Sequence, residues 1–340
     1  MRLLKTQEAV GQILCHDVTQ IIKDIKKDTL FRKGHVITEN DIPMLLSLGK
    51  DHVYIWENNE NMLHEDEASE ILRELCQNEN MRYTGPKEGK IELIADIDGL
   101  FLTDIERLRS VNSLGEMMIA TRPSGTPVKK GDKLCGTRII PLVIEKEKME
   151  RARQVAGSKP LLDLLPIKAK SYGLITTGNE VFHGRIKDVF SSVIQTKLDS
   201  YGCKMISHKI LDDDPEKITS TIRSMLDMDA EMVLCTGGMS VDPDDKTPLA
   251  IKNAADRVVS YGAPVLPGSM FMLAYMADGR PICGLPGCVM YSKHTIFDLV
   301  LPRLLTDTPV TAKWLAGLGN GGLCLDCKEC HYPKCGFGNG

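Results

Sequence analysis

Tyr172-Gly-Leu-Ile-Thr-Thr-Gly-Asn-Glu180 and Glu231-Met-Val-Leu-Cys-Thr-Gly-Gly-Met-Ser240 share one build: a short apolar run, then Thr-Gly. Such runs, bounded by glycine, read as buried strands. Between them the pattern changes period. Val189, Val193, Ile194, Leu198 and Tyr201 recur at helical spacing and stop at Gly202. Cys203 to Leu211 reads as a further strand, and Asp213-Asp214-Pro215-Glu216 opens a helix carrying Ile218, Ile222, Met225 and Leu226. Strand, helix, strand, helix over about 170–305 predicts an α/β fold, with a parallel-type sheet covered by helices on both faces. In such sheets ligands bind beyond the carboxyl ends of the strands. The unusual residues of this chain fall there.

Outward from this core, residues 1–80 read as a small α+β module. Thr38-Glu-Asn-Asp41 precedes Ile42, Leu45, Leu46 and Leu48, with Pro43 near the helix start and Gly49 placed to end it. Residues 81–156 read as a β-rich module. Thr103-Asp-Ile-Glu106 forms a capping box for a short helix, Leu134 to Ile144 reads as a strand, and Glu145 to Ala156 as a charged connector helix. Residues 319–340 form a Cys-rich tail.

A chain of 340 residues suggests two or three domains. Lys and Arg number 42 against 46 Asp and Glu, a net charge of −4, which argues against nucleic acid as a partner. No apolar stretch is long enough to span a bilayer and no signal core opens the sequence, so a cytoplasmic protein without membrane attachment is expected. Seven of the 11 cysteines are scattered, as suits a reducing compartment.

Several short constellations could carry chemistry. Thr176-Thr177-Gly178-Asn179-Glu180 offers hydroxyls, close backbone and a carboxylate, and could equally be an ordinary strand-to-helix loop. Thr236-Gly237-Gly238-Met239-Ser240, ahead of Asp244 and Asp245, makes a backbone anion cradle next to carboxylates that could hold Mg²⁺ or cap a helix. It lacks the ending of a P-loop. Asp212-Asp213-Asp214-Pro215 reads as a helix cap on spacing alone. Leu266-Pro267-Gly268-Ser269 and Gly284-Leu285-Pro286-Gly287 read singly as turns.

Their order is more specific than any one piece. Thr-Gly-x-Glu, Asp-Asp-Pro, Thr-Gly-Gly-x-Ser-x₄-Asp, Pro-Gly and Gly-Leu-Pro-Gly together resemble the molybdopterin-binding domain of the MoaB/Mog and MoeA families. The resemblance covers about 170–305. It implies binding of molybdopterin or its adenylate, and its MoeA-like branch implies insertion of molybdate with Mg²⁺-assisted release of AMP. By motif, Thr177, Gly178, Gly237, Gly238, Ser240, Pro267, Gly268, Gly284, Pro286 and Gly287 would hold the pterin. Glu180, Asp213 and Asp245 would act in catalysis, Glu180 and Asp245 through the metal. A homodimer is also expected, since related proteins often oligomerise.

The chain departs from that pattern at Asp242, where the family has Gly, and at Val189-Phe190, where Ser-Asn is usual. Pro267-Gly268-Ser269-Met270 lacks both lysines of the MoeA-like segment, and Cys288-Val289 replaces Asn-Pro. Those lysines are the natural contacts for molybdate. Pterin binding survives such changes more easily than insertion does, so a second expectation stands beside the molybdotransferase: a non-catalytic carrier or maturation factor serving a molybdoenzyme client. A nucleotide hydrolase of the related CinA type is a third.

Cys324-x₂-Cys327-x₂-Cys330-x₄-Cys335, with His331 alongside, closes the chain. Four soft donors at this density suit tetrahedral Zn²⁺ or an iron–sulfur cluster. The flanking glycines suggest a small flexible appendage ordered by metal.

Overall fold

The computed structural model describes residues 1–22, 26–56, 59–240, 242–243 and 245–339; Asp244, one of the two carboxylates expected near Mg²⁺, lies outside them. The chain forms two compact units. The first takes residues 1–96, 103–122 and 131–163; the second takes 97–102, 123–130 and 164–340.

In the first unit, Ala9, Leu14, Val18, Phe31, Ile37, Leu45, Val53 and Ile55 form a small buried core. Thr38 closes a capping box with Asp41, whose carboxylate accepts from the Thr38 amide at 2.8 Å. The expected cap at Thr103 shifts by one residue: Asp104 caps the helix Ile105–Asn112, accepting from the Arg107 amide at 3.1 Å. The single strand expected over 134–144 is two, Lys133–Ile139 and Val143–Glu145. Pro141, which lacks an N–H for a ladder, falls between them. The first of the two lies in a four-stranded sheet with Met81–Tyr83, Lys90–Ala95 and Met117–Thr121.

The second unit is built on a six-stranded sheet. Its elements are β1 (Ser171–Thr177), the one-turn helix α1 (Asn179–Phe182), α2 (Phe190–Asp199), β2 (Lys204–Leu211), α3 (Pro215–Asp227), β3 (Met232–Thr236), α4 (Thr247–Ala254), β4 (Arg257–Tyr261), β5 (Met272–Tyr275), β6 (Pro281–Leu285), α5 (Ile296–Leu305) and α6 (Ala312–Gly317). Spatial order is β2-β1-β3-β6-β5-β4. The first four run parallel, and β5 and β4 add antiparallel at one edge. That edge had no sequence expectation.

Strand periodicity divides the core. Tyr172, Leu174, Met232, Leu234, Cys283 and Leu285 face one layer with Ile194, Leu198, Ile296 and Val300. Ile175, Val233, Cys235 and Ile282 face the other with Ile218, Ile222, Met225, Ala250 and Ile251. Both faces are covered, so every strand residue of β3 and β6 is buried, as parallel sheets require. Gly173 lets α3 close onto the sheet; a Cβ there would stand 2.5 Å from the Met225 sulfur.

The connection from β1 through α2 to β2 goes to one side of β1, and the return through α3 to β3 goes to the other. The strand order therefore reverses between β1 and β3, leaving a crevice at their carboxyl ends. No helix among the described residues is long and apolar enough to cross a membrane.

Candidate functional site

Thr177 ends β1 and Thr236 ends β3. The Thr177 hydroxyl lies 3.3 Å from the Thr236 carbonyl and 2.9 Å from the hydroxyl of Thr247 at the start of α4. These side chains tie the strand ends together. The chain then turns through Gly237 and Gly238, at φ +84° and +54°. A Cβ on Gly237 would lie 2.1 Å from the Thr177 carbonyl oxygen, and one on Gly238 would lie 2.7 Å from the Thr247 hydroxyl. No side chain fits at either residue without displacing backbone or the threonine pair. The result is bare main chain at the switch point.

One side of this turn opens into a cleft of about 520 Å³, lined by Gly237, Gly238, Ser240 and Asp245, by Pro267 and Gly268, and by Pro286 and Gly287. Three loops far apart in sequence thus meet. Gly268 (φ +127°) packs so closely that a Cβ would stand 2.5 Å from Ile296. Gly287 borders open space, with nothing within 4 Å of a Cβ placed there. Gly284 is buried within β6 and makes room for Met239, whose methyl a Cβ would meet at 2.5 Å. Its role is packing behind the loop.

Carboxylates collect beside the same turn. The Asn179 amide donates to Asp213 at 3.0 Å, and Asp245 accepts from the Ser240 amide at 2.7 Å, folding the Gly-Gly loop back on itself. The second Asp213 oxygen is buried without a hydrogen-bond partner and lies 3.4 Å from where a Gly238 Cβ would be. Burial raises the Asp213 pKa. The Asn179 amide opposes that rise, and Asp245, Glu180 and Asp212 add to it by repulsion. An orphaned carboxylate oxygen among like charges fits a hard cation such as Mg²⁺, which takes oxygen ligands. Glu180 is exposed on α1. Asp214 is a helix cap, accepting from the Glu216 and Lys217 amides at 2.9 and 3.3 Å.

Further groups at the site carried no sequence expectation of a role. His208 on β2 lies 3.0 Å from the Thr176 hydroxyl and 3.4 Å from Asp188. Tyr261 donates to the Met239 carbonyl at 3.0 Å, and Cys288, Met290 and Tyr291 line the cleft. Thr176 belongs to the Thr-Thr-Gly stretch already singled out in the sequence for its hydroxyls. His208 gave no signal, because its partners come from other elements.

The tail is no loose appendage. Phe337 is buried in the main core, with Tyr332, Cys324 and Cys335 packed against it. Cys327 and Cys330 are exposed. Among the described residues no three His, Cys, Asp or Glu side chains stand together as a metal cage.

A mixed α/β sheet with a glycine turn at its switch point, next to clustered carboxylates, defines the class as ligand-binding α/β domains of the doubly wound kind. Residues 173–306 match the family described as "Probable molybdopterin binding domain", and residues 3–57 match a domain of unknown function. A protein of Pyrococcus abyssi named PYRAB15930 is 33% identical over 184 residues, covering 42% of this chain and 73% of that protein. A CinA-like protein of Syntrophus aciditrophicus is 37% identical over 82 residues, covering 24% of this chain and 19% of that one. The chain spans about a fifth to two fifths of the length of the CinA-like relatives it matches. A solved structure of the molybdopterin biosynthesis enzyme MoaB from Thermus thermophilus aligns with 41% of this chain and 98% of its own, at TM-score 0.35 and 22% identity. The chain belongs to the molybdopterin-binding domain family.

Proposed function

We propose that this protein acts in molybdenum-cofactor biosynthesis, binding molybdopterin or its adenylate in the cleft and releasing AMP as molybdate enters. One observation carries the reading: the Gly237–Gly238 turn, where no Cβ fits, lines an open cleft and adjoins the orphaned carboxylate oxygen of Asp213. The phosphate of the pterin would rest on the bare backbone of that turn. Glu180, Asp213 and Asp245 would hold Mg²⁺. Bound there, Mg²⁺ supplies charge neutralisation at the phosphoanhydride. Asp245 also shapes the loop through the Ser240 amide, and Pro267, Gly268, Pro286 and Gly287 would enclose the organic part of the ligand.

A second reading is favoured by a specific feature. None of the described residues lining the cleft is Lys or Arg; Ser269 and Met270 occupy the segment where the family's lysines are expected. That supports a carrier or maturation factor that holds the pterin for a molybdoenzyme client without inserting the metal. Incubating the protein with pterin adenylate, molybdate and Mg²⁺, and following AMP by chromatography, separates the two. AMP release that requires molybdate and is lost in Asp213→Asn supports the molybdotransferase. Tight binding with no AMP supports the carrier, and no binding of either pterin form overturns both.

A further inference from the structure

The tail combines a closed, docked backbone with thiols at ligand spacing. The Gly338 amide donates to the Gly321 carbonyl at 2.9 Å, closing residues 321–338 into a loop. Both ends of the loop are fixed to the core. The Leu266 amide donates to the Gly322 carbonyl at 2.8 Å, and the Cys324 amide donates back to the Leu266 carbonyl at 2.8 Å. On the returning side, the Tyr332 hydroxyl donates to the Asp298 carbonyl at 3.0 Å and Phe337 is 4% exposed. Gly322 admits no side chain, since a Cβ would stand 2.4 Å from the Leu318 carbonyl and 2.5 Å from that of Pro264.

All four thiols lie inside this loop. Cys324 is three residues in from Gly321 and Cys335 three residues in from Gly338. Three residues reach at most about 11 Å, so both thiols stay near the point of closure. Cys327 and Cys330 form a Cys-x₂-Cys pair in the exposed stretch between. Docking has already met the entropy of closing the loop, so an ion need only draw the tip inward. The donors are soft, which selects zinc-type cations over Mg²⁺.

We propose that this docked loop binds one zinc-type divalent cation through Cys327 and Cys330 together with Cys324 and Cys335, and that binding tightens the loop's hold on Leu266. Each ligating thiol gives its proton to solvent, and no electron is transferred. Pro267 and Gly268, the next residues after Leu266, line the cleft. The tail would thus set the rigidity of one cleft wall. That last consequence rests on the cleft being the ligand site; metal binding and the effect at Leu266 do not.

The experiment uses the full chain, reduced and kept anaerobic, with no pterin present. Zn²⁺ is titrated against a chromogenic chelator and Co²⁺ is followed by absorption. About one equivalent should bind, and Co²⁺ should show thiolate charge-transfer and tetrahedral d–d bands. Cys327→Ser/Cys330→Ser should abolish both signals. These side chains are exposed, and unchanged circular dichroism confirms the fold. Amide exchange at Leu266 and Cys324 should slow by about tenfold with Zn²⁺. Substoichiometric binding, or binding unaltered in the double variant, overturns the site. Stoichiometric binding with unchanged exchange at Leu266 overturns the coupling to the cleft wall.

Discussion

The Gly237–Gly238 turn lines the cleft, the tail loop 321–338 is hydrogen-bonded to Leu266 in its wall, and the two are held by different forces. At the turn, main chain meets main chain: a Cβ on Gly237 would overlap the Thr177 carbonyl. Nothing there can change size. In the tail, the hold is shared between side chains, Phe337 and Tyr332 packed on the core, and main-chain hydrogen bonds at Leu266. Such a contact can be weakened by degrees. The comparison separates a site that fails all at once from one that can be tuned.

The sharpest break is at the turn. Gly237→Ala should destabilise the second unit by about 3 kcal/mol or more, since it forces both a positive φ and a backbone overlap. Pterin binding should fall by at least about 100-fold. Gly287→Ala, beside the same cleft but in open space, should leave stability unchanged. Chemical denaturation of both variants tests the contrast; equal effects would remove it.

Next in size is Phe337→Ala. Removing a buried phenyl typically costs about 3–5 kcal/mol. Part of that loss should appear as faster amide exchange at Leu266 and Cys324, with β1 and β3 still protected. Loss of protection across the whole sheet at once would show that the tail and sheet unfold as one body.

Asp213→Asn should change stability little while removing the response to Mg²⁺. Burial and three like charges disfavour the charged carboxylate, so replacing it with a neutral amide removes a native-state cost. The midpoint Tm at pH 7 should be equal or higher by about 2 °C, and Mg²⁺ should no longer raise it. In the wild type, Mg²⁺ affinity should fall on acidification at a higher pH than an ordinary aspartate would give, because the Asp213 pKa is raised.

The smallest effect is expected in the first unit, at Glu65, where burial, with Asp66 and Glu88 adding repulsion against Arg138 and Lys33, pushes the carboxyl up to about 7. The folded state then keeps a proton that the unfolded chain loses near 4.5. Its contribution is full below that value and is lost as pH rises through about 7. Glu65→Gln should therefore raise Tm by about 1–2 °C at pH 8 and leave it unchanged at pH 4. A gain equal at both pH values would assign the effect to packing. Unlike Asp213, Glu65 belongs to the first unit and not to the carboxylate cluster at the Gly-Gly turn, so its titration should leave Mg²⁺ binding untouched.

The core strands were legible because burial on both faces leaves continuous apolar runs, as at Met232–Thr236. The Gly-Gly turn was legible because its steric demand admits one residue type. β4 and β5 were not. Arg257–Tyr261 is an exposed edge with no clean alternation, and its strand character comes from pairing with Met272–Tyr275. The docking of the tail was equally hidden. Its sequence is rich in glycine and cysteine, and its hold depends on one phenyl ring and on the carbonyls of Leu266 and Asp298, contacts that arise only once α5 and the Leu266 loop are in place. Gly284 shows the opposite error: a glycine inside a recurring motif reads as a ligand contact, while here it accommodates Met239.

The placement of β6 has a consequence for the order of assembly during synthesis. β4 and β5 pair with each other and leave the ribosome before β6, yet among the described strands β6 is the one that joins β5 to β3 and so brings the pair into the sheet. Until Pro281–Leu285 emerges, the nascent chain holds a three-stranded parallel half and a separate two-stranded ribbon, each with an unpaired edge. A pause in synthesis that leaves β5 outside the ribosome while β6 is still within it would lengthen the life of that split intermediate, and a chaperone that binds exposed strand edges would meet this protein there.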